Sequence, residues 1–162
     1  MSNVLARKRG VSALEFYHAA EQMRGELTPF LMNDKYVPKH WRFVFSYPAF
    51  EIMRNLFSHM RKANNMYPYS EEQLAERKKY QQKAIDDCDE LFDLLQHLMT
   101  TLFYLKVDAM HPIPHQLEAA CEHLDRTQAL LRAWKKSSWM PIPVCPLDMR
   151  ETLRLFHRDD SY

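Results

Sequence analysis

The sequence predicts an all-α protein, an antiparallel up-down four-helix bundle with a short C-terminal extension. Glycine occurs only twice in 162 residues, at Gly10 and Gly25, against an ordinary share of roughly 7%. Tight hairpins and phosphate-cradling glycine loops therefore have almost no material. Apolar residues recur at three- and four-residue steps over four long stretches, the period of a helix with one buried side. Short connectors containing proline separate those stretches, as expected of antiparallel neighbours. A chain of this length, 19.4 kDa, fits one domain able to bury a core without staples.

The first helix is expected over about residues 11–33, where Leu14, Tyr17, Met23, Leu27, Phe30 and Leu31 keep step and Pro29 bends the last turn. "NDKYVPK" is a connector, and Pro38 suits a first helical turn, so the second helix is expected over about 39–66. Tyr67-Pro68 stops it. Ser70 and Gln73 then form an S-x-x-Q capping box that opens a third helix over about 71–106. Its buried side is marked by Leu74, Ile85, Cys88, Leu91, Phe92, Leu95, Leu98, Leu102 and Leu105. "HPIP" breaks the chain before a fourth helix, about 114–137, with Leu117, Cys121, Leu124, Leu131 and Trp134 inward. Residues 1–10 form a basic arm, 11–138 the bundle, and 139–162 a proline-rich linker with a short last helix through about His157, capped by Asp148 and Glu151.

The second helix is apolar on two sides. At about 100° per residue, Trp41, Phe45, Ala49, Ile52, Leu56, Met60 and Ala63 form a core stripe. Phe43, Tyr47, Phe50 and Phe57 fall opposite, with Arg54 and Arg61 among them. Such a stripe either packs against another subunit or stacks bases and meets phosphates. Pro48 removes a backbone donor within it.

Chemistry-bearing constellations are incomplete. Glu15 and His18 have the E-x-x-H spacing of two-metal bundles, but those sites need a second copy and further glutamates. His111, His115, Glu118, Glu122 and His123 lack a defined zinc geometry. Asp86, Asp87, Asp89, Glu90 and Asp93 are expected mostly on the solvent side, whereas acid/base work would need one desolvated. Cys88, Cys121 and Cys145 are odd in number with no CxxC pair, and read as free thiols. No nucleophile elbow, phosphate loop or dinucleotide fingerprint occurs. The expectation is no enzyme, no catalytic residue, no metal and no cofactor.

The longest uncharged apolar stretch, residues 94–105, falls short of the ~20 residues of a membrane span. The first ten residues carry Arg7, Lys8 and Arg9 without an apolar run, so no secretion signal is read and a cytoplasmic location is expected. Net charge is only +1, yet it is segregated. Residues 1–83 carry 14 Lys/Arg against 8 Asp/Glu, residues 84–125 carry 1 against 9, and residues 126–162 carry 7 against 4. Arg61 and Lys62 at the exit of the second helix and Arg77, Lys78, Lys79 and Lys83 early in the third are expected to converge at one end of the bundle. Arg132, Lys135 and Lys136 close the fourth helix, where cations also suit its dipole. Convergent cations imply phosphate binding; a solvated charged face is the alternative.

Across residues 11–138, "VPKHWRFVF", "RKANNMYP", "ERKKYQQKAI", "DELFDLLQ" and "IPHQLEAACEHLDRTQALLRAWKKS" together resemble the four-helix-bundle family of accessory variability determinants of diversity-generating retroelements and of proteins encoded in ribosomal-RNA intervening sequences. Pro38, Lys39 and Arg42 match the family's entrance to the second helix, Ala63 and Asn64 its end, Arg77, Lys78 and Tyr80 the start of the third, and Trp134, Lys135 and Lys136 the close of the fourth. The resemblance implies a barrel of five bundles and a non-catalytic role binding a reverse transcriptase and its template RNA during mutagenic copying. On that basis Lys39, Arg42, Arg54, Arg61, Lys62, Arg77, Lys78, Lys79, Lys83, Arg132, Lys135 and Lys136 are candidates for nucleic-acid or polymerase contact. Phe43, Tyr47, Phe50 and Phe57 are candidates for subunit contact. The competing expectation is an oligomeric protein adaptor that never touches nucleic acid.

Overall fold

The structure, a computed structural model, describes residues 11–105 and 113–138, without the side chains of residues 11–14. The basic arm, the Leu14 side chain, Lys106, His111, Cys145 and the 139–162 tail, with the short helix expected there, lie outside the described residues. Four helices run α1 (Val11–Met32), α2 (Ser46–Asn65), α3 (Glu71–Tyr104) and α4 (His115–Ser137), with one 3₁₀ turn at Lys39–Trp41. No strand occurs among the described residues.

The helices pack as an antiparallel bundle. α1 lies mainly on α4 and α2 mainly on α3, α3 and α4 join the two pairs, and α1 meets α2 least. Direction follows from side chains that meet. Phe16, early in α1, stacks on Trp134, late in α4, with ring centroids 4.6 Å apart. Phe45, at the head of α2, meets His97, late in α3, edge-on at 5.2 Å. The core between them includes Phe16, Met23, Leu27, Phe30, Leu56, Met60, Leu91, Leu95, Leu102, Leu124 and Leu131, all buried. Each such side chain contributes roughly 1.5–3 kcal/mol of transfer free energy.

α2 begins later than expected, at Ser46 rather than Lys39. Pro48 explains this. As the third residue of the helix it needs no intrahelical acceptor for the N–H it lacks, whereas mid-helix it would break the ladder. Residues 39–45 instead form a tight passage tied to the end of α1. Arg42 donates to the Met32 carbonyl and to Asp34, and the buried Ser46 hydroxyl donates to the Leu31 carbonyl at 2.8 Å. Two orphan carbonyls of α1 are thereby satisfied.

The start of α3 is capped as expected. Ser70 Oγ accepts from the Gln73 N–H at 3.2 Å, while Gln73 Oε1 accepts from the N–H of Tyr69 at 2.8 Å. The buried side of α3 differs from expectation. Phe92 and Leu105 are exposed, Leu74 is half-buried, and Gln81, Ala84 and Asp87 are buried. α3 is the helix flanked by α2 and α4, so its inward arc is wide enough to include Asp87, which meets His59 of α2 with Oδ2 to Nδ1 at 2.6 Å. Leu105 is the helix cap, and Phe92 edges an apolar hollow of about 290 Å³ with Met99, Leu117 and Cys121.

Candidate nucleic-acid interface

Antiparallel packing brings the exit of α2, the start of α3 and the close of α4 to one end of the bundle, and with them the two basic blocks that are far apart in sequence. Between α3 and α4 lies a cleft of about 460 Å³ lined by Lys78, Gln82, Ile85, Asp89, Arg132, Lys135 and Lys136. Lys135 Nζ donates to Gln82 Oε1 at 2.6 Å, which fixes one ammonium at the cleft wall. Arg132 lies 3.8 Å from Asp89 across the two helices, and Gln128 also donates to Asp89. On the other side of α3, Lys62 Nζ and Lys83 Nζ flank the Tyr80 ring, 5.4 and 5.5 Å from its centroid. Such contacts hold a cation in place for about 0.5–1 kcal/mol without neutralising it.

Arg77 is held differently from the lysines. Its guanidinium lies 5.4 Å from the centre of the Trp134 ring. Burial pulls its pKa below the ordinary guanidinium value, and nearby Tyr67 opposes that fall. The side chain is thus part of the packing of α3 on α4 as well as a source of charge. Gln81, buried one turn on, donates to Ser138 Oγ at 2.8 Å and ties down the end of α4.

Pairing separates the candidate cations into two groups. Lys39 and Arg42 lie at the opposite end of the bundle and meet Asp34. Arg54 meets Glu51 at 3.4 Å within α2. Among the described residues, Arg61, Lys62, Arg77, Lys78, Lys79, Lys83 and Lys136 make no salt bridge. Glu71, Glu72 and Glu76 stand on the same start of α3, yet cations outside salt bridges repel one another, and a bound polyanion relieves that repulsion.

The aromatic stripe expected on α2 is also divided. Phe43 and Tyr47 are exposed, at 78% and 59%. Phe43 lies before α2, so the late start of that helix takes it off the line of Phe50 and Phe57, whereas Tyr47, the second residue of α2, stands exposed at the head of that line three residues before Phe50. Phe50 and Phe57 are half-buried in a groove of about 480 Å³ between α1 and α2, with Arg24, Arg54 and Arg61. Arg24 covers the Phe57 ring at 4.4 Å. The groove exists because α1 and α2 meet least of all neighbouring helices. Arg24 belongs to the first helix and no periodicity in the second could have pointed to it.

The remaining chemistry-bearing residues are dispersed. Glu15, His18, His115 and Glu118 are exposed, and among the described residues no group of three or more His, Cys, Asp or Glu is placed to hold a metal. Desolvation raises the pKa of Asp87, with the His59 hydrogen bond and charge working against it. Burial pushes the Cys88 thiol up to about 12 and raises that of half-buried Cys121. No described helix is long and apolar enough to cross a membrane. Comparison with protein-family models, curated proteins and solved structures returns no match.

Proposed function

We propose that this chain is a non-catalytic accessory protein of a diversity-generating retroelement, binding template RNA and its reverse transcriptase through the basic end of the bundle to support mutagenic copying. The observation that carries the nucleic-acid arm is the set of seven cations at and beside that end with no salt bridge among the described residues, next to a cleft holding Arg132 and Lys135. The retroelement arm rests on the sequence resemblance. Copies of the chain assemble, as a pentamer in this proposal, through the exposed Phe43 and Tyr47 face. RNA retention on filters tests the nucleic-acid arm. Four phosphates neutralised on a single strand lower affinity by about 50-fold between 50 and 200 mM salt. No retention at 50 mM salt removes direct RNA binding. A reverse transcriptase encoded beside the gene, and its co-purification with the chain, test the polymerase arm; absence of such a neighbour removes that arm.

A protein adaptor without nucleic-acid contact is the second reading, and one observation favours it. Asp89 sits within the cationic cleft, where a carboxylate repels phosphate but suits a basic or mixed-charge protein surface. Polymerase binding that persists after nuclease treatment, with no RNA retention at 50 mM salt, selects this reading.

A further inference from the structure

The turn between α2 and α3 carries two large rings that the bundle does not use. Pro68 is buried and pins the turn, while Tyr67 and Tyr69 on either side of it are 63% and 80% exposed. Their ring centroids are 5.3 Å apart with an interplanar angle of 45°. The backbone beneath is extended at Met66 and Ser70, and the reciprocal bonds of Ser70, Gln73 and the Tyr69 N–H hold it. The rings are therefore presented by an ordered turn, so binding against them need not first order the chain.

Their surroundings give a chemical class of ligand. Arg77, two turns into the helix that this turn opens, lies over Trp134, and Lys135 follows Trp134 in the wall of the cationic cleft. Aromatic and cationic side chains thus alternate from the turn to the cleft, with Tyr67 and Tyr69 exposed and Trp134 buried behind Arg77. Phosphates alone do not need the rings, and a duplex keeps its base faces stacked and out of reach. A single strand offers both charge and free base faces, and stacking on exposed aromatics tolerates any sequence.

Building on the nucleic-acid reading above, we propose that Tyr67 and Tyr69 form a stacking platform for unpaired bases of a single-stranded RNA whose phosphates run into the Lys78–Lys135–Lys136 cleft. The interface selects single strands over duplexes, with the tyrosines supplying selectivity and the cleft supplying salt-dependent affinity.

Fluorescence anisotropy of the full chain at 50 mM salt tests this with a labelled single-stranded 12-mer and a hairpin duplex of equal charge. Wild-type protein is expected to prefer the single strand. The Tyr67→Ala, Tyr69→Ala double variant should lose about tenfold or more for the single strand, keep its duplex affinity and keep its salt slope, while Tyr→Phe at both positions restores binding. As a second measurement on unaltered protein, abasic sites placed in the 12-mer should weaken it to the level of the duplex. Equal binding of single strand, duplex and abasic strand by wild-type protein overturns the platform and leaves the nucleic-acid reading standing. Failure of wild-type protein to bind any of the three removes the reading and the platform together.

Discussion

His59 and Asp87 are the residues whose chemistry depends most on the fold. Asp87 is buried, and desolvation holds its pKa above the usual carboxylate range despite the imidazole 2.6 Å away. The folded chain therefore binds that proton more tightly than the unfolded chain. This contribution favours folding at low pH, falls as pH rises through the ordinary carboxylate range to the raised value, and is constant above it. His59→Ala leaves the carboxylate without its partner and is expected to cost about 1–3 kcal/mol at pH 7. The loss should shrink near pH 4, where the carboxyl takes a proton. Urea titrations at both pH values check this; an equal cost at the two would mean that burial of charge is not the cause. Cys88 gives a second test at this scale. A buried thiol pushed up to about 12 offers almost no thiolate at pH 8. In a Cys121→Ser, Cys145→Ser background, a thiol reagent should therefore leave native protein unmodified and react on unfolding. Neither the pair nor its burial is legible from spacing, because a run of five carboxylates in eight positions reads as a solvated face until both neighbours of α3 are known.

At the scale of elements, the joint between α1, α3 and α4 is the part most open to test. Trp134 is buried, stacks on Phe16 and lies under Arg77. Trp134→Ala is expected to cost about 3–5 kcal/mol in a denaturant titration, and a change below about 1 kcal/mol would contradict its place in the packing. Helix number, order and most of the core were legible because the apolar period sets them. The cap at Ser70 was legible because its chemistry is local. The start of α2 was not. Pro38 and Pro48 each satisfy a first turn, and only the tertiary ties of Arg42 and Ser46 to the end of α1 decide between them. That one boundary also takes Phe43 off the helix that carries Tyr47, Phe50 and Phe57, so an error of seven residues in an element becomes an error in a surface. Tyr67 was legible only as part of a helix stop and Tyr69 not at all, since exposure and ring separation are not properties of a period.

At the scale of the whole molecule, the described bundle is polar along its axis. Cations without carboxylate partners gather at one end, the acidic middle of α3 and α4 follows, and exposed Phe43, Val44 and Tyr47 lie at the other end. In an assembly with the apolar end covered, the basic end remains free for a polyanion. Phe43→Asp with Tyr47→Asp is expected to lower the mass seen by light scattering without loss of helicity; an unchanged mass rules out that contact. The central claim, that the basic end is what meets nucleic acid, is tested most directly by charge reversal in the cleft, where Lys136 is exposed and Lys78 and Lys135 are half-buried, with helicity as the check on folding. Binding of a single-stranded RNA at 50 mM salt should be compared between wild-type protein and the Lys78→Glu, Lys135→Glu, Lys136→Glu variant, with circular dichroism on both. At least a tenfold loss with unchanged helicity is the result expected, and equal affinity in a folded variant would contradict it.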